Sequence, residues 1–275
     1  MPIVSVIMGV YYKNNDLFFL KRSVESILAQ SMNDLEFVIC DDGSIEAACQ
    51  YLEEMKHKDP RIRIVRTGEL FSLPEKLNAC LAQSTGKLIA RMDDDDYSHI
   101  DRFAHQISFM QQHPDVAFVG CQANLWRKGM VTDVRHFPLL PSVKDFYFSQ
   151  PFLHPALMFR REPLKLVGGY STDRYCLLCE DYDLLLRLYA LGYQGANLPQ
   201  ILIDYTVPAT AKGARNMRHR LNEVVTRYRR FKELKQFPYA LPYVIKPILV
   251  GVLPDSILVK LKKRKLDKEK NRINY

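Results

Sequence analysis

The chain has 275 residues, 25% charged and 47% apolar, a balance that excludes a disordered chain and indicates a folded globular protein. Its net charge of +8 is unevenly placed: +7 in residues 212–235, +6 in residues 260–272 and −5 in residues 1–211, an acidic body with a basic rear. Basic charge held away from any reading element argues against nucleic acid as a partner and suits an anionic membrane surface.

No stretch supplies eighteen uninterrupted apolar residues, so no spanning helix is expected. The opening Met1-Pro2-Ile3-Val4 has neither a basic n-region nor a small-residue cleavage pattern; it reads as a strand, and no signal peptide is expected. Six cysteines are scattered, and Cys176-x-x-Cys179 has no second pair, so buried thiols in a reducing cytoplasm are expected rather than zinc.

Val4 to Val10 is a compact apolar run, a first strand of a parallel sheet. A helix over about 18–30 places Leu20, Val24, Ile27 and Leu28 on one face. Leu35 to Cys40 is the next strand and stops in Asp41-Asp42-Gly43-Ser44; a helix over about 46–57 and a short strand at Ile62 to Val65 follow. Pro74 opens a helix to about Gln83. The strand 88–92 then runs into Asp93-Asp94-Asp95-Asp96. Four adjacent carboxylates repel one another and resist losing water, and a hard divalent cation held by oxygen ligands relieves both. The carboxyl edge of a parallel sheet is also where open α/β folds place ligands.

Beyond the acids, residues 101–112 read as a helix, Val116 to Gly120 as a strand, and 122–136 as a β-ribbon turned at Lys128-Gly129. Phe146 to Leu153 is aromatic and weakly patterned, His154-Pro155 leads into a strand at Ala156 to Phe159, and Val167-Gly168-Gly169-Tyr170 is a tight turn. Glu180-Asp181 opens an amphipathic helix ended by Gly192, and Ile201 to Tyr205 is the last strand. A basic helix (about 214–235), a Pro-punctuated apolar segment (Phe237 to Leu261) and a charged tail complete the chain. Strand–helix alternation argues for a doubly wound α/β sheet, and the absence of G-x-G-x-x-G after the first strand argues against a dinucleotide fold of the dehydrogenase type.

Four features together resemble the family 2 glycosyltransferases of the GT-A fold: the Val4 to Tyr11 opening; Cys40-Asp41-Asp42-Gly43-Ser44; Leu77-Asn78 followed by Thr85-Gly86-Lys87 and the strand into Asp93 to Asp96; and Gly168-Gly169-Tyr170 with Glu180-Asp181-Tyr182-Asp183-Leu184 and Arg187. The match spans roughly 3–205. It departs from the family at Gly9, where proline is frequent, and at Leu77, where arginine usually precedes the asparagine. The resemblance implies a GT-A nucleotide-diphospho-sugar transferase fold with a mostly parallel central sheet, helices on both faces and a basic helical C-terminal extension. Residues 1–208 would be catalytic, about 1–100 binding nucleotide and about 101–208 binding acceptor, with 209–275 as the extension. It implies inverting, metal-assisted transfer of a hexose or N-acetylhexosamine from a UDP-sugar to a glycan or lipid-linked glycan, in bacterial surface-polysaccharide synthesis.

Residue by residue, it implies that Asp93 and Asp95 form an Asp-x-Asp pair. Asp95 ligates Mn²⁺ or Mg²⁺, Asp93 holds ribose or sugar hydroxyls or shares the ion, Asp96 is a supporting or alternative ligand, and Asp94 lies between them. Asp41 accepts from the ring N–H of a uracil-like base; Asp42 either joins it or holds the turn; Val10 and Tyr11 bracket the base. Asn78 donates to the nucleotide or caps its own backbone, and Arg91 pairs with phosphates or with the acids. Asp181 is the catalytic base beside Glu180, with Glu180, His154, Gly169 and Tyr170 on the acceptor side. The basic, apolar rear makes a peripheral protein at the cytoplasmic face of a membrane the expectation, against an apolar lid on the body. Competing readings are a metal-dependent nucleotidyltransferase, disfavoured by the missing Gly-rich triphosphate loop, and a non-catalytic nucleotide-sugar-binding module, disfavoured by the presence of Asp93, Asp95 and Asp181.

Overall fold

The computed structural model describes residues 1–68, 72–207 and 217–252. Strand β1 (Val4–Val10) pairs in parallel with β2 (Leu35–Asp41) and β4 (Leu88–Arg91), and β2 in parallel with β3 (Ile62–Val65). Their near-continuous apolar sequences are what a sheet covered on both faces requires. Val4, Val6 and Met8 of β1 pack in one apolar layer with residues of α1 (Phe18–Leu28), α2 (Glu46–Lys58) and α4 (Arg102–Gln112). Ile7, on the other face, joins α3 (Leu73–Gln83) and α6 (Glu180–Ala190). Alternation along the strand thus assigns each helix its side of the sheet.

The second half of the sheet is built from β5 (Tyr97–Ser98), β6 (Val116–Arg127), β7 (Met130–Arg135), β8 (Met158–Arg160) and β9 (Gln194–Thr206). The strand order is β3-β2-β1-β4-β8-β6-β9-β5, with β7 on β6 as a hairpin. Parallel pairing holds across β3-β2-β1-β4 and between β6 and β9, while β8 lies antiparallel between β4 and β6. The expected mostly parallel sheet is thus parallel through its first four strands and mixed beyond them. β8 arrives through a short turn at His154–Ala156 and leaves into α5 (Arg161–Leu166), so no helical crossover sets its direction. The hairpin turns where the sequence indicates: Lys128 and Gly129 both have positive φ, 48° and 86°. The strand expected at 201–205 is the end of the thirteen-residue β9, whose first half carries Gln194, Asn197 and Gln200 and so lacks apolar continuity.

The rear forms α7 (Met217–Glu233) and α8 (Leu241–Val252). Phe231, Ala240 and Val244 are buried in the apolar layer of α3 and α6, so this part of the extension shares the body's core. Among the described residues of the Pro-rich segment, Leu241–Val252 form one helix that contains Pro247. The boundary near 208 and the Lys260 to Arg272 tail lie outside the described residues. Among the described residues, no helix is long and apolar enough to cross a membrane.

Candidate active site

β4 ends at Arg91, and Asp93 to Asp96 occupy the turn before β5. Because the backbone turns, Asp94 is not carried to the opposite side as strand alternation would require: Asp94 and Asp95 both face a hollow with Tyr11, Tyr12, Lys13, Asn14 and Phe19 at the end of β1. Asp93 faces a second cleft of about 470 Å³ that also receives Arg91, His154 and Asp181. One carboxylate oxygen each from Asp93, Asp95 and Asp96 lie within 4.8 Å of one another. Asp96 is fully buried; its Oδ1 accepts from the Thr206 N–H (2.7 Å) and its Oδ2 has no partner.

Loss of water, then the charges of Asp95 and Asp93, push the Asp94 carboxyl up to about 7. Burial and then Asp93 push Asp95 up to about 6, and burial with the same neighbours holds Asp96 well above the carboxylate range. Three converging oxygens, an orphaned buried one and raised proton affinity fit a hard divalent cation, which substitutes for the protons. Arg91 is buried and pairs with Asp93.

Where a nucleotide is expected, Val10 and Asp41 are paired across the ends of β1 and β2. Asp41 is buried; its Oδ2 accepts from Cys49 Sγ (3.3 Å) and Arg66 Nη2 (3.4 Å), and its Oδ1 has no partner. Asp42 instead receives Thr67 N (3.0 Å), Thr67 Oγ1 (2.9 Å) and Gly68 N (3.2 Å), so its oxygens hold the loop after β3. The Val10 side chain is in the core, whereas Tyr11 is exposed. Asn78 engages the turn before α6: its amide oxygen receives Tyr170 N (2.9 Å) and its amide nitrogen donates to Tyr170 O (2.7 Å). It ties α3 to the Gly-Gly-Tyr turn.

Where an acceptor is expected, Asp181 lines the cleft; its Oδ2 accepts from Gln150 Nε2 (2.9 Å) and its Oδ1 from Tyr182 N (2.7 Å). Glu180 is buried behind it, and burial followed by the Asp181 charge raises its carboxyl to about 7. His154 meets the Tyr170 hydroxyl at 2.9 Å, and burial followed by Arg91 keeps its ring neutral at physiological pH. Tyr170 is itself buried and supports His154 instead of facing the cleft. Gly169 has φ +69°, and a Cβ there would stand 2.7 Å from Asn78 Oδ1; that close approach to the chain's own Asn78 explains the glycine without an acceptor. Arg187 donates to Val167 O and to Gly169 O (2.7 Å), while Asp183 receives Arg187 Nε (2.7 Å) and Arg230 Nε (2.8 Å). The last motif of the sequence is thus largely a brace that holds Asp181 and the turn in place.

Gln150, Arg220 and Lys246, also on the cleft wall, have no local signal in the sequence. Lys76, whose buried ammonium donates to Asp42 O (2.7 Å) and to Val10 O, does have one: a charge amid Leu73, Leu77 and Cys80 on the inward face of α3.

Residues 5–166 match the family model of glycosyl transferase family 2, and residues 88–253 that of glycosyl transferase family group 2. EpsE of Bacillus subtilis is 29% identical over 98% of this chain and 96% of its own length. The amylovoran biosynthesis glycosyltransferase AmsE of Erwinia amylovora is 29% identical over 84% and 86%. An Escherichia coli UDP-Gal:alpha-D-GlcNAc-diphosphoundecaprenol beta-1,3-galactosyltransferase is 28% identical over 93% of each chain. Among solved structures, the Pyrobaculum calidifontis mannosyltransferase PcManGT in complex with GDP-Man and Mn²⁺ superposes with a TM-score of 0.63 at 20% identity, covering 96% of this chain and 80% of that one. Staphylococcus aureus TarS 1–349 with UDP-GlcNAc gives 0.67 at 16% identity, covering 88% and 72%.

Proposed function

The chain belongs to glycosyl transferase family 2, and from that premise we propose inverting transfer of a hexose or N-acetylhexosamine from a UDP-sugar to a glycan or lipid-linked glycan in surface-polysaccharide synthesis. One relative is named for amylovoran biosynthesis, and another for a UDP-Gal donor and a GlcNAc-diphosphoundecaprenol acceptor. The observation that carries the reading is the meeting of Asp93, from the acid cluster, with Asp181 across one cleft.

Asp181, oriented by Gln150 and the Tyr182 N–H, takes the proton of the acceptor hydroxyl as that oxygen attacks the anomeric carbon. The carbon–oxygen bond to the diphosphate breaks on the opposite face, and UDP leaves with the bonding pair. Asp93, Asp95 and Asp96 would hold Mn²⁺ or Mg²⁺, which would supply positive charge to the leaving diphosphate. Arg91 fixes the orientation of Asp93, and Asp41 Oδ1 is the acceptor for a uracil N–H. That match favours uracil over cytosine, whose ring nitrogen only accepts.

With Mn²⁺ and a panel of UDP-sugars, Asp181→Asn is expected to lower transfer by about a hundredfold or more while UDP binding stays within about twofold. Near-normal turnover in this variant overturns the assignment of the base.

The same reading places the protein at the cytoplasmic side of an anionic membrane. Leu241, Ile245, Leu249 and Val252 are exposed along one stripe of α8, and basic charge is concentrated in the same third of the chain.

A further inference from the structure

Cys176-x-x-Cys179 is a sequence motif that the transfer chemistry leaves without a task, and its second cysteine stands directly before Glu180 and Asp181. The Cys179 N–H donates to Cys176 O (2.9 Å), closing a four-residue turn. Such a turn holds its end Cα atoms less than about 7 Å apart, and a disulfide spans about 4.4–6.8 Å between Cα atoms. Both thiols meet one hydroxyl: Cys179 Sγ donates to Thr226 Oγ1 (3.5 Å), which stands 4.0 Å from Cys176 Sγ. Leu178, between the cysteines, is held at φ +64°, a left-handed conformation that costs a leucine about 1 kcal/mol or more.

The turn is fastened to α7 on its outer side. Thr226 Oγ1 donates to Tyr175 O (2.7 Å), Asn222 Nδ2 donates to Arg174 O (2.9 Å), and Arg229 pairs with Asp173 (2.9 Å). Further along, Asp183 is held by Arg187 and Arg230. Between these fixed points lie Cys179, Glu180 and Asp181, and Leu178 and Cys179 line the cleft through which a small oxidant reaches the pair.

We propose that Cys176 and Cys179 form a reversible disulfide whose closure draws Cys179 toward the fixed side of the turn and carries Asp181 out of its working position. The oxidant is a low-molecular-weight disulfide such as oxidised glutathione. Two S–H bonds break and one S–S bond forms, and the two electrons and two protons convert the glutathione disulfide into two thiols. A sulfur–sulfur bond is about 2.05 Å, shorter than any unbonded contact, so the turn tightens to make it. Burial raises both thiols above their usual range, Cys179 to about 12, so little thiolate is present and the exchange is slow. In a reducing compartment the pair rests as two thiols. The bond itself is independent of the transferase reading; its effect on turnover rests on that reading.

The test incubates the full chain with excess oxidised glutathione at mildly alkaline pH, blocks the remaining thiols and digests with trypsin. The peptide from Tyr175 to Arg187 contains Cys176 and Cys179 and no other cysteine. It is expected to be two hydrogens lighter than its reduced form, with altered hydrogen exchange at the amides of Glu180, Asp181 and Tyr182 in the intact chain. Release of UDP from the panel of UDP-sugars with Mn²⁺ is expected to fall about tenfold, with UDP affinity within about twofold of the reduced chain. Dithiothreitol is expected to reverse these changes. Cys176→Ser is expected to turn over as the native chain does and to ignore oxidised glutathione. A glutathione adduct without the internal bond overturns the proposal. So does a disulfide between Cys40 and Cys80, another neighbouring and fully buried pair, with Cys176 and Cys179 left as thiols. A closed bond that leaves exchange at the start of α6 unchanged removes the switch, and equal inhibition of Cys176→Ser assigns the effect to another cysteine. A chain that binds no UDP sinks the transferase reading, while the peptide mass and the exchange still decide the disulfide.

Discussion

Gln150 orients the proposed base, because its amide donates to Asp181 from a separate loop. Gln150→Leu keeps the bulk and deletes that donor, freeing the carboxylate to rotate away from the acceptor. The loss is expected to be about tenfold in kcat with the donor KM nearly unchanged; a fall confined to donor KM counts against a positioning role. The acid cluster supports a second measurement. In the unfolded chain these carboxyls ionise near 3.9. Folding raises Asp94 to about 7 and Asp95 to about 6, so the native state keeps protons that the unfolded chain releases. Without metal, stability from this source is fully present below pH ~4 and declines as pH rises towards ~7. A bound cation reverses the trend by holding the ionised form. The gain in Tm on adding Mn²⁺ should be slight at pH 5 and reach several degrees at pH 8, and be largely lost in Asp95→Asn. Equal gains at both pH values remove the cluster as the site. At this scale the sequence is most readable where chemistry repeats locally: four acids in a row need no fold to be noticed. Gln150 becomes visible only when the 148–153 loop is laid against the first turn of α6, a contact spanning 31 positions.

Between elements, the decisive joint is the Gly168-Gly169-Tyr170 turn, clasped by Asn78 from α3 and by Arg187 from α6. Both glycines have positive φ, but only Gly169 is crowded: a Cβ at Gly168 meets nothing within 4 Å, whereas one at Gly169 meets Asn78 Oδ1 at 2.7 Å. Gly168→Ala should therefore cost about 1 kcal/mol of stability from backbone strain alone, and Gly169→Ala about 2–3 kcal/mol from strain plus the displaced Asn78. Denaturant titration of the two variants checks the difference, and equal losses show that Asn78 is not held there. The sequence identified the turn, but gave its asparagine partner a choice between nucleotide and local backbone; the structure supplies a third partner, 92 positions away. Elements followed the same division. β1, β2 and α6 have apolar periods long enough to read, whereas β5 pairs only two residues and β8 is set by its neighbours β4 and β6. Short strands borrow their conformation from the sheet they join, so their own residues carry little signal.

Across the whole molecule, charge asymmetry was legible from composition, while the division of labour within α8 was not. Hydropathy marks residues 237–261 as apolar but does not tell which side chains face the body. Val244 and Pro247 are buried, and Leu241, Ile245, Leu249 and Val252 recur outward at helical spacing. A bare apolar lid on the catalytic body has no reason to keep that second stripe, and burial against a bilayer interface supplies one. Deleting the helix is a poor test, because Val244 lies in the same apolar layer as α3 and α6 and its loss would damage the enzyme. Ile245→Gln with Leu249→Gln changes only outward positions. The pair is expected to leave Tm within about 2 °C and to reduce flotation with phosphatidylglycerol vesicles at least several-fold, roughly 1 kcal/mol or more of apolar burial being lost at each site. High salt should weaken flotation of the native chain further, since the basic residues act through a screened field. Flotation that survives both changes would remove α8 from the membrane contact, whatever the cleft behind it transfers.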